Sequence, residues 1–305
     1  MKLLFRLLFS LLVVTGSLTA ATSGNSIESF DTLYNSLTVE KRGTVVELRA
    51  RSRGSEYIES AVDLADPLRL VVAYTKTLYG GLFFQPDPQR VLMIGLGGAG
   101  FHRLFSHAFP DTLLQSVELD PKVFELCKSH LGFEPTANTP VALMDGRLFV
   151  KRDKTKWDWL ILDAFRGGFV PPHLKTEEFY RECAASLSER GVFITNLHPN
   201  TQLYPSDLKT LRKVFPQVVL LQTPIRANVI AIGVNYRSPS ITDESNWAPA
   251  EELTKKLDGR VDMTQVKKSR IPFPAPDRKA TVLTDDFAPV EFLDAMKTNN
   301  TGGTR

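Results

Sequence analysis

The stretch Val91-Leu92-Met93-Ile94-Gly95-Leu96-Gly97-Gly98-Ala99-Gly100, followed later by Val117-Glu118-Leu119-Asp120, decides the fold. Its four leading apolar residues predict a parallel strand buried on both faces. The glycines behind them let the backbone turn sharply and approach a ligand closely. About 20 residues further on, a second apolar run (113–117) ends in an acidic pair, the spacing at which a carboxylate meets ribose hydroxyls. A glycine-rich turn alone would indicate only a tight strand-to-helix connection. The acidic strand end at this distance points to a nucleoside-containing ligand at the edge of a doubly wound sheet.

Around this motif, strand and helix patterns alternate. Strands are predicted at 91–94, 113–117, 141–143, 159–162 and 191–196, the fourth ending at Asp163. Helices are predicted from about residue 99, over 121–129, after Asp145-Gly146, over 176–187 and over 206–214. Two further apolar runs, 218–221 and 228–234, are joined by Thr223-Pro224 and read as a closing hairpin. Such alternation implies a mostly parallel sheet with helices on both faces. Upstream, short β-prone runs between residues 36 and 62, punctuated by Gly43 and Gly54, predict a small antiparallel meander, and residues 22–35 read as a flexible lead-in. Over 67–84, Leu68, Val71, Val72, Leu78 and Leu82 recur at helical spacing, with Asp66 as N-cap and Pro67 at the first helical position. Beyond Asn235 the chain becomes polar and proline-rich, with a helix expected at 250–257 and an ordered ending at Thr284-Asp285-Asp286-Phe287-Ala288-Pro289-Val290-Glu291. The predicted division is 22–85 for the meander and its linking helix, 86–235 for the nucleoside-binding domain and 236–305 for a C-terminal extension.

A chain of 305 residues has ample material for one large or two modest cores. Its net charge of +3 is small, and no lysine- and arginine-rich block stands out, so nucleic acid is not an expected partner. Residues 1–21 carry Lys2 and Arg6, an apolar run over 7–14, then Gly16 and Thr19-Ala20-Ala21. That is the order of a secretory signal peptide, too short for a spanning helix. The expectation is therefore export to the periplasm or medium, with no stable membrane anchor once the leader is cleaved; the chain would be cytoplasmic if the leader is not used. Two cysteines, Cys127 and Cys183, fall on helices that right-handed crossovers place on opposite faces of the sheet. They are expected to be free thiols, because a disulfide tolerates only about 7 Å between Cα atoms.

Taken together, Pro88-Gln89-Arg90-Val91-Leu92-Met93-Ile94-Gly95, Arg103, Val117-Glu118-Leu119-Asp120-Pro121, Asp145-Gly146-Arg147, Trp157-Asp158 leading to Leu162-Asp163, and Phe179-Tyr180 resemble the spermidine synthase-like aminopropyltransferases. These form a branch of the fold used by S-adenosylmethionine methyltransferases, and the likeness spans roughly residues 36–235. The resemblance implies a doubly wound, Rossmann-like, seven-stranded α/β sheet with a closing antiparallel hairpin, preceded by a small N-terminal β-domain. It implies an adenosyl-sulfonium donor, S-adenosylmethionine or its decarboxylated form, and no metal. Glu118 would take the ribose hydroxyls, Asp145 (followed by Gly146) the adenine amino group, and Gly95 and Gly97 would let the backbone approach the donor. Tyr74 would line the acceptor site. Asp163 would face the sulfonium and act as general base for an acceptor amine.

The departures from the family pattern bear on the acceptor. The glycine loop usually carries an aspartate where this chain has Gly98, and the loop after the catalytic strand usually carries a second one where Arg166 stands. The helix before the nucleotide-binding strand usually reads Tyr-His-Glu, against Tyr74-Thr75-Lys76 here. Like charges about 4 Å apart cost about 4 kcal/mol at an effective dielectric of 20, enough to exclude an unneutralised diamine. Two explanations follow: an acceptor bearing a carboxylate or phosphate for Arg166, or a donor that is S-adenosylmethionine itself, its carboxylate met by Arg103 or Lys76. His102, His173 and His198 lack metal-ligand spacing, and His173 lies in a loop able to close over substrate. The leading expectation is a transferase moving an aminopropyl-type group to a small-molecule acceptor through an atypical, non-acidic acceptor pocket. A methyltransferase on a non-polyamine acceptor, or a non-catalytic binding protein on the same fold, are the alternatives, and a homodimer is left open.

Overall fold

The computed structural model describes residues 25–52, 55–166, 168–234, 236, 241 and 243–290; the leader read at 1–21 lies outside them. Four antiparallel strands come first: β1 (Asn25–Asp31), β2 (Ser36–Arg42), β3 (Val45–Ser52) and β4 (Ser55–Asp63), paired in sequence order. The predicted lead-in is thus partly strand, since β1 adds to the free edge of β2. Residues 67–84 do not form one helix. Leu70 instead makes a β-bridge to Val62, and helical turns are confined to α1 (Thr75–Leu78) and a 3-10 turn over Tyr79–Phe83. The apolar spacing there reflects residues buried one by one, and Gly80-Gly81 is poor material for an α-helix.

The main sheet has eight strands. In chain order they are β5 (Arg90–Ile94), β6 (Leu113–Glu118), β7 (Val141–Leu143), β8 (Trp157–Leu162), β9 (Leu187–Leu197), β10 (Gln217–Gln222), β11 (Val229–Val234) and β12 (Arg270–Ile271), arranged β12-β10-β11-β9-β8-β5-β6-β7. Strands β5 to β9 pair in parallel, and β10–β11 form the antiparallel hairpin that was expected. The seven predicted strands are all present; the eighth, β12, is a two-residue edge that the sequence pattern does not announce.

Side chains alternate across the sheet. In β8, Trp159 and Ile161 enter one core, while Leu160 and Leu162 enter the other. The first core holds Phe101, Leu104 and Phe105 of α2 (Gly100–Ala108), and also Trp247, Leu253, Leu257, Met263 and Val266. The C-terminal extension therefore belongs to the central core. The second core packs α4 (Gly146–Arg152), α5 (Glu177–Ser186) and α6 (Tyr204–Val214) against the opposite face. A third cluster joins β2 and β3 to α3 (Pro121–Ser129) and holds Cys127, whereas Cys183 lies in the second. Both cysteines are buried free thiols, as the crossover argument required.

Candidate active site

The chain runs from β5 outward to β7 and then returns to the other side of β5 as β8, so the sheet order reverses beside β5. A crevice must open where neighbouring connections diverge in this way. It does so at the carboxyl ends of β5, β6 and β8, as a cleft of about 1180 Å³, mouth included, roofed by residues of the N-terminal sheet. Asp120 ties roof to floor: it caps α3 by accepting from the Lys122 amide, and its other oxygen accepts from the Thr32 hydroxyl at 2.6 Å.

The glycine loop forms the floor. Gly95 has φ +101°, and a Cβ there would meet the Asp163 carbonyl oxygen at 2.3 Å, so only glycine lets the ends of β5 and β8 lie this close. Gly97 and Ala99 are also left-handed. A Cβ at Gly98 would stand 2.5 Å from Ser60 Oγ and 2.6 Å from Leu131 Cδ2. The side chains of Ser60, on β4, and Leu131 thus take the space that the aspartate expected from the resemblance would need.

Glu118 ends β6 with both oxygens engaged. Oε1 accepts from the Asp120 amide at 2.8 Å and Oε2 from the Leu96 amide at 3.1 Å. Burial raises its pKa, and the backbone N–H groups oppose that shift. Each oxygen keeps lone-pair capacity for a ligand hydroxyl. Asp145 caps α4 through the Leu148 amide and pairs through its second oxygen with His173 Nε2, both at 2.8 Å. The histidine contact holds its pKa below the ordinary value. Both acids line the cleft with Gly146, as do Gly95, Gly97 and His173.

Asp163 follows β8 at the centre of the cleft. Its Oδ2 accepts from the Tyr74 hydroxyl at 2.8 Å and its Oδ1 from Asn196 Nδ2 at 3.0 Å. Asn196 is held in turn, its Oδ1 accepting from Asn228 Nδ2 at 2.8 Å. Burial pushes the Asp163 pKa up against these two hydrogen bonds. Burial and the neighbouring carboxylate also raise Tyr74 well above its ordinary value, so the phenol remains a donor. Asn196 and Asn228 were not singled out in the sequence. The signal for Asn196 is register: Leu162 pairs with Thr195, so the next residue on each strand stands beside the other.

The basic candidates separate. Arg166 lines the cleft at its rim, where its Nε donates to the Tyr34 carbonyl at 3.1 Å. Lys76 is exposed on α1 and outside the lining. Arg103 is spent on main-chain carbonyls, Gly98 O at 2.8 Å and Leu131 O, and bracing the glycine loop takes it out of the cleft. Neither is placed to meet a donor carboxylate. Of the remaining histidines, His102 is buried against Ser116 and His198 stacks on Phe165 at 4.9 Å between centroids.

One acid was missed entirely. Glu59, on β4, lines the cleft from the roof, and its Oε1 is buried with no hydrogen-bond partner. Burial first, then the charges of Glu118 and Asp163, push its pKa up to about 8. With it the wall carries Glu59, Glu118, Asp120, Asp145 and Asp163 against one arginine and one histidine. The cleft as a whole is therefore rich in carboxyl groups, although the positions at which the family's acceptor acids are missing, Gly98, Lys76 and Arg166, contribute none of them.

Residues 72–236 match the spermine/spermidine synthase domain. The chain belongs to that family. It is a family of transferases, and the sequence resemblance is borne out. A polyamine aminopropyltransferase of Vibrio vulnificus is 29% identical over 294 residues, covering 94% of this chain and 97% of the relative. Another, from Chromobacterium violaceum, is 32% identical over 215 residues, 70% of this chain and 81% of the relative. The crystal structure of spermidine synthase from Thermotoga maritima superposes with a TM-score of 0.64 at 20% identity, covering 82% of this chain and 84% of that one, which shows the shared fold.

Proposed function

We propose that this family member moves an aminopropyl group from decarboxylated S-adenosylmethionine to the amine of a small acceptor that also carries an anionic group. The observation that carries the reading is Asp163 held between Tyr74 and Asn196 at the reversal point of the sheet, in one cleft with Glu118. Glu118 would read the ribose and Gly95 and Gly97 would carry the donor along the loop, with Asp145 at the adenine end. The acceptor nitrogen attacks the carbon attached to sulfur. The carbon–sulfur bond breaks with its electron pair going to sulfur, leaving neutral methylthioadenosine, and the proton lost from nitrogen passes to Asp163. Holding both reactants in line supplies much of the acceleration, and the raised pKa of Asp163 makes it a better base than a solvated carboxylate.

The engagement of Arg103 and the outward position of Lys76 support the decarboxylated donor over S-adenosylmethionine. Arg166 at the rim supports an acceptor with a carboxylate or phosphate. The test is methylthioadenosine release from decarboxylated S-adenosylmethionine across a panel of plain diamines and amines bearing carboxylate or phosphate. Release with the anionic amines is expected. Methyl transfer from S-adenosylmethionine without methylthioadenosine release would overturn the reading.

A further inference from the structure

A buried carboxyl with no partner is costly, and a native fold keeps one where something else completes it. One oxygen of Glu59 is in that position. Its Oε1 has neither a hydrogen bond nor solvent, and the charges that bear on it, Glu118 and Asp163, are both negative. Ser60 beside it fills the space next to Gly98, and Leu37 and Leu48 line the same roof. A site with three carboxyl groups around one opening is built for a cation.

Position narrows which cation it is. The Glu59 backbone carbonyl lies 3.6 Å from where a Cβ on Gly97 would stand, and its side chain shares the cleft with Glu118 and Asp163. It therefore sits over the glycine loop, along which the donor would lie. On the nucleoside-donor reading above, on which this inference rests, the chain carried by the donor sulfur lies between Glu118 and Asp163. We infer that Glu59 receives the ammonium group at the end of that chain and so selects a decarboxylated donor over one that retains its carboxylate. A carboxylated donor brings a negative charge of its own into a wall of carboxylates, and neither Arg103 nor Lys76 is in place to offset it.

The experiment is calorimetric titration of the full chain and its Glu59→Gln variant with methylthioadenosine, decarboxylated S-adenosylmethionine and S-adenosylmethionine. Glutamine keeps the shape and one acceptor oxygen and removes the capacity to become a carboxylate that pairs with an ammonium. The variant should lose at least roughly ten-fold in affinity for the decarboxylated donor, the effect of one charged hydrogen bond, and its preference over S-adenosylmethionine should narrow by a similar factor. Methylthioadenosine, which has no ammonium group, should bind both proteins within about two-fold, and this arm also shows that the variant is folded. Decarboxylated donor bound equally by both proteins, with methylthioadenosine binding intact, would overturn the role of Glu59 alone. Failure of the wild-type chain to bind methylthioadenosine would overturn the nucleoside site, and this inference with it.

Discussion

Replacing Asp163 by asparagine separates catalysis from architecture. The asparagine carbonyl can still accept from Asn196, and its amide can donate to the Tyr74 oxygen, so both contacts of the carboxylate have a replacement. What disappears is the proton acceptor. Loss of a general base costs about 10²–10⁴-fold in rate, or roughly 3–5 kcal/mol of transition-state stabilisation. Donor affinity should stay within a few-fold, because on the proposed reading the ribose contacts belong to Glu118.

The same substitution has a predictable sign on stability. Burial raises the folded-state pKa of Asp163 above its unfolded value. The stability it contributes is therefore present below the unfolded pKa and is lost as pH rises through the folded one. At neutral pH the wild type bears a buried charge that the asparagine lacks, so the variant should melt higher at pH 7.5, with the gain shrinking towards pH 4. The assays are methylthioadenosine release against pH, donor titration and thermal melts at both pH values. In the wild type, kcat/KM should fall in acid with an apparent pKa above the ordinary carboxylate value of about 3.9. The variant should lack that limb. Near-native turnover in the variant, or an unchanged acid limb, would refute Asp163 as the base.

Glu118→Ala should weaken methylthioadenosine binding by roughly 10²-fold or more, since two hydrogen bonds to a charged acceptor are lost at about 1.5–3 kcal/mol each. It should also lower the melting temperature, because the Leu96 and Asp120 amides lose their acceptor; calorimetry and thermal melts check both. Arg166→Asp should raise affinity for putrescine, whereas Lys76→Glu should change it little because Lys76 faces solvent; equal effects of the two in calorimetry would contradict the assignment of Arg166 to the rim. Neither Cys127 nor Cys183 should react with an alkylating reagent in the native protein, since burial raises both thiols and Cys127 donates to the Gly97 carbonyl at 2.6 Å. Both should label after denaturation without reductant, as mass spectrometry would show.

The parts of the fold legible in the sequence share a physical origin. Strands β5, β6 and β8 are apolar on both faces because helices cover both, and their runs show no competing period. Helices α3 and α5 announce their starts with Asp120 before Pro121 and with Thr176, each of which accepts the capping hydrogen bond. β1 was hidden because Asn25–Asp31 is mostly polar and gains its place by pairing with β2. The helix at Ala250–Lys256 was legible, but the place of the C-terminal extension in the core was hidden for a related reason. Trp247, Leu253, Met263 and Val266 are sparse among polar residues, and only tertiary packing shows that all of them enter the central core.

The site divides along the same line. Glu118, Asp145 and Asp163 were legible because a parallel sheet delivers strand-end residues to one edge, so their position along the chain fixes their position in space. Glu59 was not, because it reaches the cleft from an antiparallel strand of another sheet. Its role depends on how that sheet folds over the glycine loop, which no local pattern encodes. Reading the motif alone therefore counted Gly98 as a lost charge. Ser60 of β4 occupies the space beside Gly98 instead, and the residue before it on β4 is an acid with a buried oxygen that has no hydrogen-bond partner. In a cleft built from two sheets, the charge that meets a ligand is set by every wall. A departure in one motif therefore predicts altered specificity only once the opposite wall has been read.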